Sequence, residues 1–356
     1  MLGRRRMKKF GTSTGKLING IMIGILVGII SVFFMTEITY GPLAPQDETG
    51  FTEKLGVAYK IYLQELRGKQ ILDLTNLDGV SRNIIDKVGE NGFTLIHVTD
   101  TQALSLYDSW GTFTERLAFV GTTFNVKMII HTGDIVSTYD STDEWERANS
   151  SMGVLLDAGI PYTWCTGNHD INLRTQKYMG ANYLAFDAST FEAQDYWLGS
   201  FDQKSTAVNF TYSGHKFIIV NVEYLGDASV ISWLTNILDS NRDSNIIVAT
   251  HKYLNSTGGY EYPISTWETE FKAFLNDYSN VFLVLCGHHV GGTAYHKRVN
   301  GREEIFFNRQ DTDARVARIM TFDLTSSTVH VWTYQDYNRS WALSPEDTFS
   351  FNVELI

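Results

Sequence analysis

Cysteine is scarce. Cys165 and Cys286 are the only two in 356 residues, too few for a disulfide framework and in no zinc-ligand spacing. Positive charge is also thin over most of the chain. Six of the 29 basic residues (Arg4, Arg5, Arg6, Lys8, Lys9 and Lys16) precede Leu17 with no acid among them, leaving 23 against 40 acidic residues beyond. A domain that acidic is a poor non-specific nucleic-acid binder, although clustered acids can hold cations. There is no Gly-x-Ser-x-Gly elbow to place a nucleophilic serine. Gly11-Thr12-Ser13-Thr14-Gly15-Lys16 falls one residue short of a phosphate loop and has Leu17 where a hydroxyl is needed. No internal repeat or low-complexity tract stands out.

Apolar residues at 43% and charged residues at 19% describe a globular chain with ample core, and aromatics at 13% suit two packed sheets. One long hydrophobic run breaks the pattern. Residues 17–35 contain only Asn19 and Ser31 as polar members. At about 1.5 Å rise per residue they span roughly 28 Å, close to the thickness of a bilayer core. The basic flank orients the N-terminus to the cytoplasm, so the remainder is expected outside. The sequence after the run offers no convincing cleavage site. The expectation is a single-pass cell-membrane anchor, with Gly20, Gly24 and Gly28 on one helix face as a candidate homodimer surface.

Four segments follow: a basic cytoplasmic tail (1–16), the transmembrane anchor (17–35), a membrane-proximal linker and helix (36–91), and a large domain (92–356). Within the linker, residues 51–66 carry apolar positions at helical spacing. From residue 93, β-rich runs (93–98, 126–130, 160–165, 217–222, 245–249, 281–285) alternate with helix-like stretches (110–124, 143–158, 229–238, 266–275). Alternation of this kind predicts an α/β domain with helix-covered sheets. Further strands are expected near 305–308, 316–323 and 328–334. Residues 171–204 form a long aromatic excursion, a candidate lid, substrate wall or surface insertion.

Polar residues follow these strand-like runs in a regular way. Asp100 and Gln102 come after the first, Gly133-Asp134 after the second, and Gly167-Asn168-His169-Asp170 after the third. His251 follows the run at 245–249, and Gly287-His288-His289 follows that at 281–285. Open α/β sheets place their sites just past the strand C-termini, so five loops can converge. Together they offer a mixed oxygen and nitrogen donor set suited to Mn, Fe, Zn or Mg. His97 and His131 precede the donor blocks and read as core or supporting imidazoles. His215 and His296 read as turn residues.

These ordered blocks resemble the calcineurin-like metallophosphoesterase superfamily, in a branch whose first block is Asp-Thr-Gln. The resemblance covers about residues 93–356 and includes His131-Thr132-Gly133-Asp134-Ile135-Val136 and Glu144-Trp145-Glu146-Arg147-Ala148. It implies a four-layer α/β/β/α sandwich, here preceded by the transmembrane helix, and a site for two divalent metal ions. Asp134 would bridge both metals. Asn168, His251 and His288 would complete the second, and Asp100 and Gln102 would serve the first. His169, paired with Asp170, would protonate the leaving group. The implied activity is phosphoester hydrolysis by a metal-activated hydroxide, with phosphodiesters ahead of monoesters.

Two departures bear on the first metal. Gln102 stands where many relatives have His, and Val290 where a second His is common. His289 reaches that metal only if its loop is shifted by one residue. The first metal is therefore expected to be weak, hard and exchangeable. A non-catalytic metal-binding scaffold on the same fold is the alternative.

Overall fold

The computed structural model describes residues 79–356 apart from 90, 261–265, 292–293, 312–313 and 338–339. The basic tail, the apolar run at 17–35 and the helix expected at 51–66 lie outside the described residues. Among the described residues no helix is long and apolar enough to cross a membrane.

Helix α1 (Gly79–Val88) leads into β1 (Gly92–Val98), α2 (Ser109–Thr123), β2 (Val126–His131), α3 (Thr142–Asp157) and β3 (Tyr162–Trp164). After the long excursion come β4 (Trp197–Phe201), β5 (Ser205–Tyr212), β6 (His215–Val222), α4 (Ala228–Ser240) and β7 (Asn245–Thr250). Then follow α5 (Thr266–Leu275), β8 (Val281–Cys286), β9 (Ala294–Val299) and β10 (Arg302–Phe307). The chain ends with β11 (Val316–Asp323), β12 (Thr328–Gln335), β13 (Ser340–Ala342) and β14 (Phe349–Asn352).

Two seven-stranded sheets result. One runs β13-β12-β11-β1-β2-β3 with β14 also on β12, and the other runs β4-β5-β6-β7-β8-β10-β9. Strand β1 shows why they stack. It is buried along its whole length, so each face needs an apolar cover. Phe93 and Leu95 face the second sheet, meeting Phe217, Ile219 and Leu283. Ile96 and Val98, on the opposite face, join the cluster formed with α2 and α3. On the far side of the second sheet, Val220, Ile246 and Val248 pack against Leu234 of α4 and Phe271 of α5. Helices therefore cover both outer faces. Helix α1, inside the stretch expected as linker, places Ile84 and Val88 in the same cluster as Ile96.

The parallel strands fix the position of the site. In the first sheet β1, β2 and β3 run parallel, and in the second β6, β7, β8 and β10 do. Their C-terminal ends supply the loops at one rim. A hydroxyl bridge joins the sheets there, with Thr163 Oγ1 2.7 Å from Thr206 Oγ1.

The excursion at 171–204 is a packed insertion. It contains two short 3-10 turns and β4. Tyr178, Tyr183 and Phe186 gather on Trp145 of α3, while Phe191 and Trp197 gather on Trp164. Two expectations are corrected. His215 opens β6 and His296 lies within β9, where it pairs with Glu303 at 2.8 Å and stacks on Phe349. Strands β4, β9, β13 and β14 carry no continuous apolar run, and apart from Ala294 of β9 and Phe351 of β14 their residues are half-buried or exposed; β5 interleaves polar and apolar residues.

Candidate metal centre

Asp134 sits just past β2 with a left-handed backbone, φ 55°. That conformation is uncommon for a residue with a side chain, and the neighbouring loops hold it there. The His169 N–H donates to Asp134 Oδ1 at 2.9 Å. A Cβ on Gly167 would lie 2.2 Å from the same oxygen and 2.4 Å from the Asp134 nitrogen. Only glycine permits the third loop to approach so closely. Gly287 does the same on the far side, where a Cβ would meet Asp100 Oδ2 at 2.3 Å.

Asp134 Oδ2 lies between two blocks of the sequence. It is 3.2 Å from Gln102 Nε2 and 3.2 Å from His251 Nε2. His251 Nε2 also lies 3.2 Å from Asn168 Oδ1 and 3.1 Å from His288 Nδ1. Two oxygens and two nitrogens from four loops thus meet at one point. Asp134, His251 and His288 offer ligand atoms within 4.8 Å of one another, the one such group among the described residues. His251 Nδ1 donates to the Thr132 carbonyl at 2.8 Å, which leaves Nε2 to face the site.

On the other side of Asp134, Asp100 is fully buried and also left-handed, φ 52°. Its Oδ2 accepts from the Thr99 hydroxyl at 2.6 Å and the His288 N–H at 3.0 Å. Its Oδ1 is buried without a partner, as is Gln102 Oε1. Buried carboxylate and amide oxygens are seldom left unpaired. Two orphaned acceptors beside Asp134, together with the converging donors around His251, fit a pair of hard divalent cations. His289 is not among the converging ligand residues Asp134, His251 and His288. Its Nδ1 bonds to the Val290 carbonyl at 2.8 Å, and Val290 is exposed.

The electrostatics express the crowding of charge. Burial drives Asp100 up to about 6. It works against the Asp134 carboxylate as well, but the adjacent His251 cation holds Asp134 below the usual range. For His251, burial is outweighed by Asp134, which raises it to about 9. His288 falls to about 3 through burial and the nearby charge on His251. One proton at His251 therefore stands where the donor set converges, and a cation bound there would replace it.

His169 and Asp170 require a correction. They are not paired. Asp170 is fully buried, and its oxygens accept from the N–H groups of Ile135 (2.7 Å), Val136 (3.0 Å) and Gly167 (2.7 Å). Through these bonds Asp170 fastens the second loop to the third. Burial, then Asp134, raises it to about 7. His169 is exposed, and its Nδ1 bonds to the Ser137 carbonyl at 2.8 Å.

Supporting residues complete the picture. His131 Nε2 bonds to Thr101 Oγ1 at 2.8 Å, and His97 Nε2 to Thr132 Oγ1 at 2.9 Å. Cys165 and Cys286 are buried free thiols. Tyr253 and Arg309 are engaged by Glu304 and Asp347. Glu144 of α3 accepts from Ser137 N–H (2.6 Å), Thr138 N–H (3.0 Å) and the Ser105 hydroxyl (2.9 Å), tying the first two loops together. Its signal was the Ser141-x-x-Glu144 cap at the start of α3. Tyr224 places its ring 5.4 Å from His288 and 5.8 Å from His251. It follows β6, a parallel strand whose C-terminal loop carries no motif.

Against known families, the sequence model of calcineurin-like phosphoesterases matches residues 93–292. The chain belongs to that family. Calcineurin-like phosphoesterases hydrolyse phosphoesters with metal ions, and the family implies a dinuclear divalent centre. The chain is 27% identical to an uncharacterized protein, YvnB, of Bacillus subtilis over 284 residues. That alignment takes in 74% of this chain and 21% of YvnB, so the chain spans about a fifth of its relative. A purple acid phosphatase from yellow lupin seeds superposes with a TM-score of 0.51 at 13% identity, over 75% of this chain and 55% of that one. A dimetal phosphatase from Danio rerio gives 0.50 at 10% identity, over 74% and 99%. At these identities the two solved structures share the fold of this chain.

Gly167→Ala is expected to cost about 2–3 kcal/mol of stability, because backbone and a buried carboxylate must both give way. Urea unfolding measures it. A variant within about 0.5 kcal/mol of the parent would show that the third loop has room to move.

Proposed function

We propose that the chain is a membrane-anchored, outward-facing phosphoesterase that favours phosphodiesters over monoesters. The observation that carries the catalytic reading is Asp134 Oδ2, midway between Gln102 of the first block and His251 of the fourth at 3.2 Å from each. A carboxylate so placed can serve both halves of a paired site. Asn168, His251 and His288 would hold one cation with it, and Asp100 and Gln102 the other.

The cations, of Mn, Fe, Zn or Mg, would neutralise the phosphoryl oxygens and activate the attacking water. The protein's part is orientation. Asp170 and Glu144 fix the loops that carry Asp134, Asn168 and His169. His169, with Nδ1 turned to the Ser137 carbonyl, presents Nε2 outward as proton donor to a leaving group. An imidazole donor matters most for alkoxide leaving groups of high basicity, in diesters as in monoesters. The absence of an imidazole on the Asp100 and Gln102 side favours the scaffold reading, so metal content and turnover must be measured together.

Asp134→Asn should lower kcat/KM toward bis(p-nitrophenyl) phosphate with Mn by at least about a hundredfold and release metal in parallel. The parent protein should hold two equivalents. Near-parental turnover by the variant contradicts the assignment, and one equivalent without turnover in the parent supports the scaffold.

The localisation rests on residues 17–35 and their basic flank. The intact chain should stay with membranes through carbonate washing, and its large domain should be cut by protease added outside intact cells. Protection of the domain would reverse the topology.

A further inference from the structure

Beside the metal centre lies a cavity of about 380 Å³ bounded by Ser137, Tyr139, Asn168, His169, Leu173 and Arg174. It opens directly onto Asn168, which touches His251, and onto His169. No carboxylate lines it, although acidic residues outnumber basic ones across the chain. Leu173 is 54% exposed. Arg174 is exposed, and among the described residues its guanidinium has no hydrogen-bond or ion-pair partner.

The tip that carries these two residues is held in place. Asn172 Oδ1 accepts from the N–H groups of Arg174 and Thr175, both at 3.0 Å, and Asn172 Nδ2 donates to the Tyr139 hydroxyl at 2.7 Å. The Gln176 N–H donates to the Asn172 carbonyl at 2.7 Å, and Ile171 bridges Tyr178 below. Tyr178 in turn packs edge-on against Trp145. The backbone that carries an exposed leucine and an unpaired arginine is thus fixed at the far wall of a cavity whose near wall is the proposed proton donor.

We infer that this cavity receives the leaving group, and that it selects an alcohol with an apolar body ending in an anionic group, a carboxylate or a second phosphate. The inference rests on the phosphoesterase reading above. A phosphoryl group at Asn168 and His169 directs its leaving oxygen toward His169, and the rest of that alcohol then runs along Leu173 to Arg174. Leu173 covers the apolar body. Arg174 supplies a planar donor pair to the terminal anion. Arg174 is a specificity-determining residue in this arrangement and takes no part in bond breaking.

The test uses the full chain loaded with Mn and a matched pair of diester substrates, methyl phenyl phosphate and methyl 4-carboxyphenyl phosphate. The parent should prefer the carboxylated ester. Arg174→Ala should raise KM for that ester roughly three- to tenfold, leave kcat and the phenyl ester nearly unchanged, and abolish the salt sensitivity of the preference. Arg174→Lys should recover part of it. Equal loss on both esters would place Arg174 at the phosphoryl group and overturn the inference, as would no loss on either. Calorimetric binding of benzylphosphonate and 4-carboxybenzylphosphonate to parent and variant separates the two readings. Arg174-dependent preference without any turnover leaves the subsite and removes the phosphoesterase. Turnover without preference does the reverse.

Discussion

The Asp134 carboxylate is buried, left-handed in its backbone and hemmed in by three other loops. Its Oδ1 is fixed by the His169 N–H and its Oδ2 lies between Gln102 and His251. The bare Cα of Gly167 lies where any side chain would collide with it. Moving Asp134 would therefore move the second and third loops together and part the donors around His251. Both sheets contribute to this point, so the packing of Phe93 and Leu95 on Phe217 and Leu283 is what sets the spacing of the ligand atoms.

Burying Asp100, Asp134 and Asp170 together is costly unless positive charge is supplied. Backbone N–H groups meet part of the demand: three reach Asp170, one reaches Asp134 and one reaches Asp100. The remainder falls on His251, raised to about 9, while Asp100 and Asp170 are driven toward their neutral forms. Divalent cations would relieve the same imbalance more completely. The charge on His251 favours the Asp100 carboxylate against its burial, yet Asp100 Oδ1 and Gln102 Oε1 are still left without a hydrogen-bond partner.

Much of this was readable from the chain because the fold places chemistry at strand ends. Apolar runs located β1, β2, β6, β7, β8, β11 and β12 to within a residue or two, and the polar residues after them marked the five loops. What failed has physical causes. Asp170 follows His169 in sequence, but it is buried on the N–H groups of the second and third loops while His169 is exposed, a split that adjacency in sequence does not reveal. His215 reads as a turn residue because it opens β6 ahead of the apolar run that marks that strand, and His296 because β9 is an edge strand without apolar continuity. Tyr224 acts through ring contact, which has no spacing rule, and the Ser141-x-x-Glu144 spacing marks a helix start without showing that Glu144 also holds the loop at 137–138. The tip at Leu173 and Arg174 depends on how an aromatic insertion seats on α3, a matter of shape that periodicity does not encode.

The most direct measurement is anomalous diffraction from crystals grown with Mn. The account predicts two peaks about 4 Å apart, both in contact with the Asp134 carboxylate, one also bound by Asn168, His251 and His288 and the other by Asp100. A map with no peak at Asp134 would contradict it.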